Sequence, residues 1–418
     1  MKGRTWRKRK KKILTTACHS KTFGHQDEKG LGQWMRQCGM KKTSLKFWDF
    51  PSTGRGLMAT QKINSGDIII SVPHHLLITI DTVLISEIGP ALKQSKPKLS
   101  LQESLALFIL LEKGKGNNSS WKTYINTIPK DFTTPGYFIA DYNNDVLDRL
   151  KNSVQIHITK LRKAYKQCQT FCEKYLSDNL INLTFESFRW AWYAVNSRSV
   201  YYKAECCFLE EEDNNMALAP FLDLLNHSTD AKTDAGFNVV NNCYEIRTWN
   251  NYKKYDQVFI SYGPHDNHKL FLEYGFILPN NPHTVLEFSP DQILEVASNN
   301  GVHHLHHKWT ILKENNLLKG LSCSRDGMTW KMELVFKILV MNWQQLQDWK
   351  KIMLGLIISR EIDDKAQSLA LILFKSELKN SQLQLQNLKK SCNYLEEVCE
   401  KLLKEDLLIL QNSIKCIV

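Results

Sequence analysis

The strongest constraint on the fold is a change of texture along the chain: short β-type runs, then a long helical block, then β-type runs again. KINSGDIIISV puts the turn residues Asn64, Ser65 and Gly66 directly before the β-branched run Ile68, Ile69, Ile70, which predicts a strand-turn-strand unit. LQESLALFILLEKG then predicts a buried helix stopped by Gly114, and NNDVLDRLKNSVQIHITKLRKAYKQCQTFCEKYL keeps apolar residues at helical spacing for about nine turns. LTFESFRWAWYAVNSR predicts a third helix with Thr184 as its N-cap. Strand signals return in ALAPFLDLLNHS, NNCYEIRTW and YDQVFISYG. A β-rich unit interrupted by helices and then resumed is an α+β arrangement.

GRGLMA tests that reading, because Gly54, Gly56 and Ala59 have the spacing of a dinucleotide-binding fingerprint. The fingerprint must open a helix, yet the turn at Gly66 and a strand follow too soon for a βαβ crossover. What the glycines do imply is close backbone approach to another chain segment or a ligand.

After Asn281 the pattern reads as helical to the end. Leu385, Leu388, Cys392, Leu395, Cys399 and Leu402 alternate three- and four-residue steps, and Asp406 then takes what would be the next apolar position. So short a run fits a bundle helix better than a coiled coil. No internal repeat and no Pro-rich linker divides the chain.

The net charge of +12 sits largely in KGRTWRKRKKK, residues 2–12, whose eight Lys or Arg leave only +4 for the remainder. Any polyanion contact rests on this arm, expected to be mobile over residues 1–44 apart from a short helix at LGQWMRQCGM; it reads either as an import or nucleic-acid tail or as a solvated one. No apolar h-region follows it, and no run of about 18 apolar residues occurs, so neither a secretory signal nor a membrane contact is expected. Eleven cysteines without CxxC pairs suggest reduced thiols. Cys206 and Cys207 are adjacent, and Cys168 and Cys172 lie one helical turn apart.

Three polar clusters stand out. In HHLHH only His303 and His307 share a helical face, with no cysteine or acid pair beside them, so a metal centre is not expected there. FISYGPHDNHKLFLEYGF, residues 259–276, places two Tyr-Gly pairs around His265, Asp266, Asn267 and His268, and this knot reads as a hydrogen-bonded turn. In APFLDLLNHS an acid and an Asn-His pair end an apolar run. Burying Asp223, Asn226 and His227 there requires partners, supplied by a bound polar ligand or by a strand-end network.

GRG, NSRSVY, DLLNHS, and ISYG followed by EYGF occur in the order found in SET-domain protein methyltransferases, and the chain resembles the branch that includes the Rubisco large-subunit lysine methyltransferases. The resemblance implies a knotted β-rich SET domain at 45–262 with a helical insert at about 85–195. It further implies a segment at 263–280 completing the pocket, and a helical substrate-binding domain at 281–418. It implies S-adenosylmethionine as cofactor, held by Thr53, Gly54, Arg55, Arg198, Asp223, Asn226, His227, Tyr262 and Phe276. Tyr262 corresponds to the tyrosine at the methyl-transfer centre, Tyr274 to a wall of the substrate lysine channel, and no metal is implied. Thr53 stands where relatives often carry an acid, and the loop KAECCFLEEEDNNM is longer than in some of them.

The activity implied is lysine N-methylation of histone or non-histone proteins. The branch also includes a histidine methyltransferase, and a catalytically silent adaptor would keep the same motifs. Protein substrates are the expected partners, with weak nucleic-acid contact through the arm, in nucleus and cytoplasm.

Overall fold

GRGLMA opens no helix; it is itself a strand. In the computed structural model, which describes residues 26–139, 147–177, 180–204, 215–388 and 394–417, it forms β2 (Gly54–Ala59) and pairs antiparallel with β1 (Leu45–Phe50). Residues 2–12, Cys206 with Cys207, most of the long loop before Met216, and Cys392 lie outside the described residues.

The chain forms two units: residues up to Phe132 with Lys160–Tyr262, and Thr133–Thr159 with Gly263–Val418. The division falls after Tyr262. Residues 263–280 group with the second unit, and so does the insert's 133–159 portion.

The first unit contains small sheets. β6 (Asn226–His227) and β9 (Gln257–Ile260) extend the pair above to the order β1-β2-β9-β6, with β6 and β9 parallel. β3 (Ile68–Pro73), β7 (Thr233–Asn238) and β8 (Cys243–Thr248) form an antiparallel sheet in the order β3-β8-β7. β4 (Ser199–Tyr201) pairs with β5 (Met216–Leu218). Parallel pairing of segments thirty residues apart is what brings DLLNHS beside the YDQVFISYG strand.

The helical block matches its sequence pattern. Thr184 caps Phe185–Arg198 through a reciprocal box with Ser187. The helix Leu101–Lys115 is buried on nearly every side and packs on Phe185–Arg198, which is why its sequence is apolar all round. Its stop differs from expectation: Gly116, at φ 54°, takes the C-cap while Gly114 lies within the helix. Buried Glu112 accepts from Lys115 Nζ at 2.5 Å and Ser119 Oγ at 2.5 Å, and these bonds hold the last turn. The arm also ends earlier than expected. Gln26–Gln37 is helical and buries Leu31 and Met35 completely.

The second unit is not helical throughout. β10 (Leu286–Glu287), β11 (Ser322–Ser324) and β12 (Gly327–Met328) form a small antiparallel sheet among helices including Trp330–Val340, Arg360–Asn387 and Tyr394–Ile417. These strands are two or three residues long, too short to show an alternating pattern. The apolar run from Leu385 to Leu402 is likewise split, since Leu388 is the C-cap of one helix and Leu395 belongs to the next. Asp406 does occupy the buried face that the spacing assigned to it, at 3% exposure. Arg149 answers it there, with Nη1 3.5 Å from its carboxylate.

Candidate functional site

In the first unit three groups of side chains converge around β2, β6 and β9. The first surrounds Gly56. Asn226 Nδ2 donates to the Arg55 carbonyl at 2.9 Å, so the NHS segment is tied to the GRG strand across 171 residues. A Cβ on Gly56 would stand 3.0 Å from Asn226 Nδ2 and 2.8 Å from Gln257 Nε2. Glycine permits this approach without displacing either amide. Gly54, at φ 68°, has nothing within 4 Å of such a Cβ, so the loop is open where it enters the strand. Thr53 is exposed and donates to Gln257 Oε1 at 2.9 Å, while Arg55 Nη1 donates to the Thr127 carbonyl at 2.7 Å.

The second group is charged. Arg198, from the C-terminal turn of its helix, donates through Nη1 to Asp223 Oδ2 at 3.1 Å and to the Asp223 carbonyl at 3.3 Å. Tyr124 donates its hydroxyl to the same Oδ2 at 3.0 Å. The Asp223 side chain is 2% exposed, and losing one partner of such a buried pair costs about 3–5 kcal/mol. Burial first, then the Asp223 charge, pushes the Tyr124 phenol well above its ordinary range, so it stays a donor. Arg198 Nε and Asp223 Oδ1 are buried and have no hydrogen-bond partner among the described residues. One donor and one acceptor thus remain to be satisfied.

The third group centres on Tyr262. Its backbone N–H lies 3.1 Å from His227 Nδ1, which also lies 3.3 Å from the Ile260 carbonyl, so the ring is held against the end of β9. The two rings stack with centroids 5.1 Å apart. The Tyr262 hydroxyl donates to the Leu225 carbonyl at 2.7 Å. With its proton so engaged, the oxygen offers lone pairs to anything else it meets. Phe221 begins this APFLDLLNHS turn at φ 69°, a strained conformation for an aromatic residue, costing about 1–3 kcal/mol.

Within the second unit, HDNH is not a turn. Asp266 accepts from Lys269 N at 2.7 Å and N-caps the helix Asn267–Tyr274. The Asp-x-x-Lys spacing fits a cap as well as a turn, and the apolar periodicity after it favours the helix. Gly275, at φ 77°, closes that helix, and a Cβ there would meet Thr133 Oγ1 at 2.3 Å. Tyr274 stacks on His265 at 6.4 Å and lies 6.2 Å from Phe276. Burial, then the Glu273 charge, raises its phenol. HHLHH serves packing: His304 and His307 lie against Trp343.

Sequence reasoning missed Tyr124 and Gln257. Tyr124 lies in WKTYI with no motif around it, and its role exists only through contact with Asp223, 99 residues away. Gln257 was legible only as the start of the strand before ISYG.

The SET domain signature matches residues 54–263, and the chain belongs to the SET-domain family. It is 35% identical over 372 residues to SET domain-containing protein 4 of Mus musculus, covering 86% of this chain and 83% of that protein. It is 28% identical over 262 residues to actin-histidine N-methyltransferase of Xenopus tropicalis, covering 60% of this chain and 44% of that one. Its fold is similar to the solved structure of Rubisco LSMT bound to AdoMet, at TM-score 0.59 and 20% identity over 94% of this chain and 91% of that one.

Proposed function

We propose that this chain is an S-adenosylmethionine-dependent protein methyltransferase that acts on lysine. The observation that carries the reading is the unsatisfied buried pair Arg198 Nε and Asp223 Oδ1. A ligand bearing both an α-carboxylate and an α-amino group fits that donor and acceptor. Thr53, Gly54, Arg55, Asn226 and His227 are assigned to the rest of the cofactor. When bound, S-adenosylmethionine supplies an electrophilic methyl group on a sulfonium.

What the chain supplies is position. Methyl transfer is an in-line displacement that needs nitrogen and carbon aligned at about 3–3.5 Å before reaction. The Tyr262 oxygen, fixed by Leu225, accepts a hydrogen bond from the incoming amine and presents lone pairs to polarised C–H groups. The acceptor lysine must arrive neutral, against a free pKa of about 10.4, and desolvation favours that form. Tyr274 is assigned to the substrate side chain.

The test is radiolabelled methyl transfer from S-adenosylmethionine into a cell lysate, with Tyr262→Phe as control and the methylated residue identified by mass spectrometry. Lysine labelling lost in the control supports the reading, whereas labelled histidine would transfer it to the chemistry named for the actin-histidine relative. A silent adaptor is separated by stability. Cofactor at 100 times its Kd should add about 2.7 kcal/mol, and no rise in Tm would sink the enzyme reading.

A further inference from the structure

We propose that a cavity of about 610 Å3 in the second unit binds a small amphiphilic monocarboxylate, with its carboxylate on the Lys308 ammonium and its apolar body along Val302, Leu369 and Ile372. The inference does not rest on the methyl-transfer reading. Lys308 is 2% exposed yet lines this cavity. Its Nζ donates to the Leu339 carbonyl at 2.6 Å, in the last turn of the helix Trp330–Val340, where a cation is favoured.

A helix cap accounts for one N–H, and an ammonium brings three. Among the described residues Lys308 has no ion pair and no second acceptor, so a buried cation stands without an anion. Burial accordingly holds its pKa below the usual lysine range.

The surroundings select the ligand. His304, at φ 54°, opens the helix Leu305–Glu314 at the cavity rim with no side-chain cap, leaving the helix's positive end unscreened. Asp364 is the one acid in the lining and is exposed. Val302, Leu369 and a 43%-exposed Ile372 supply apolar wall. Lys365 also lines the cavity, exposed and paired with Glu361 at 2.6 Å, so the one buried cation with apolar walls suits a monoanion with a hydrocarbon body.

Octanoate is the probe, compared with octanol and octylamine by titration calorimetry on the full chain. Octanoate should bind, octanol and octylamine at least tenfold more weakly. Lys308→Met should weaken octanoate tenfold or more, and Lys308→Arg should restore part of the loss. Should Lys308→Met fail to fold, Ile372→Glu decides, because it sets a like charge at the exposed wall and should weaken octanoate by a similar factor. Absence of octanoate binding, equal binding of octanol, or wild-type affinity in Ile372→Glu would overturn the proposal.

Discussion

Gly56→Ala isolates what close backbone approach contributes to the site. The new methyl carbon would lie 2.8 Å from Gln257 Nε2, 3.0 Å from Asn226 Nδ2 and 3.2 Å from Phe50 Cδ2, where ordinary contact begins at 3.4 Å. Gln257 must therefore retreat by about 0.6 Å and Asn226 by about 0.4 Å. Among the described residues Gln257 Nε2 has no hydrogen bond to lose, though its Oε1 accepts from exposed Thr53. Asn226 Nδ2 does, and moving it weakens the bond to the Arg55 carbonyl. Overpacking of this kind costs about 1–3 kcal/mol, with about 1 kcal/mol of it expected from that bond. The fold should survive with a Tm lowered by a few degrees. Cofactor affinity should fall more sharply, about tenfold for each 1.4 kcal/mol of lost fit, because Asn226 is assigned to the ligand. The assay pairs thermal unfolding with calorimetric binding of S-adenosylmethionine. Gly236→Ala is the control, since a Cβ there meets nothing within 4 Å. If Gly56→Ala matched wild type in both Tm and affinity, the glycine would not be there for close approach.

Tyr262→Phe should lower turnover on the order of a hundredfold or more while S-adenosylmethionine affinity changes little, as single-turnover kinetics and calorimetry together would reveal. Asn226→Ala should weaken cofactor binding more than peptide binding, and equal cofactor affinity would count against its assignment. Tyr124→Phe removes one of the two side-chain donors to Asp223 Oδ2 and should cost about 1–2 kcal/mol in denaturant unfolding. The pH prediction concerns Asp406, whose carboxyl burial pushes up to about 7 despite Arg149. The folded state keeps a proton that the unfolded chain releases near pH 4, so this group's contribution is full below that pH and is lost as pH rises through 7. His268, pushed down to about 3 first by burial and then by Arg149, acts oppositely, losing stability as pH falls below 6.5. Asp406→Asn should therefore match wild type near pH 5 and exceed it at pH 8, by about 1 kcal/mol or more, in Tm measured across that range.

Much of this protein was legible locally. The Thr184 cap, the buried helix from Leu101, the rejection of a helix opened by GRGLMA and the buried face holding Asp406 follow from spacing, capping chemistry and propensity, which act within a few residues. Local errors arose where two solutions share one signal. HDNH suits a turn or a helix cap, and Gly114 or Gly116 could end a helix until Glu112 ties down the extra turn.

By itself the sequence determined the order of textures, the α+β class and the motif set GRG, DLLNHS and ISYG that places the chain in its family. Only the tertiary structure decided which residues stand together. Asn226 reaches the Arg55 carbonyl across 171 positions, Tyr124 reaches Asp223 across 99, and β6 lies parallel to β9. Such contacts leave no periodicity, because the chain must close long loops before either partner gains anything from the other. The unsatisfied atoms of Arg198 and Asp223 and the unpaired charge of Lys308 are of the same kind: burial creates them, and only folding produces burial.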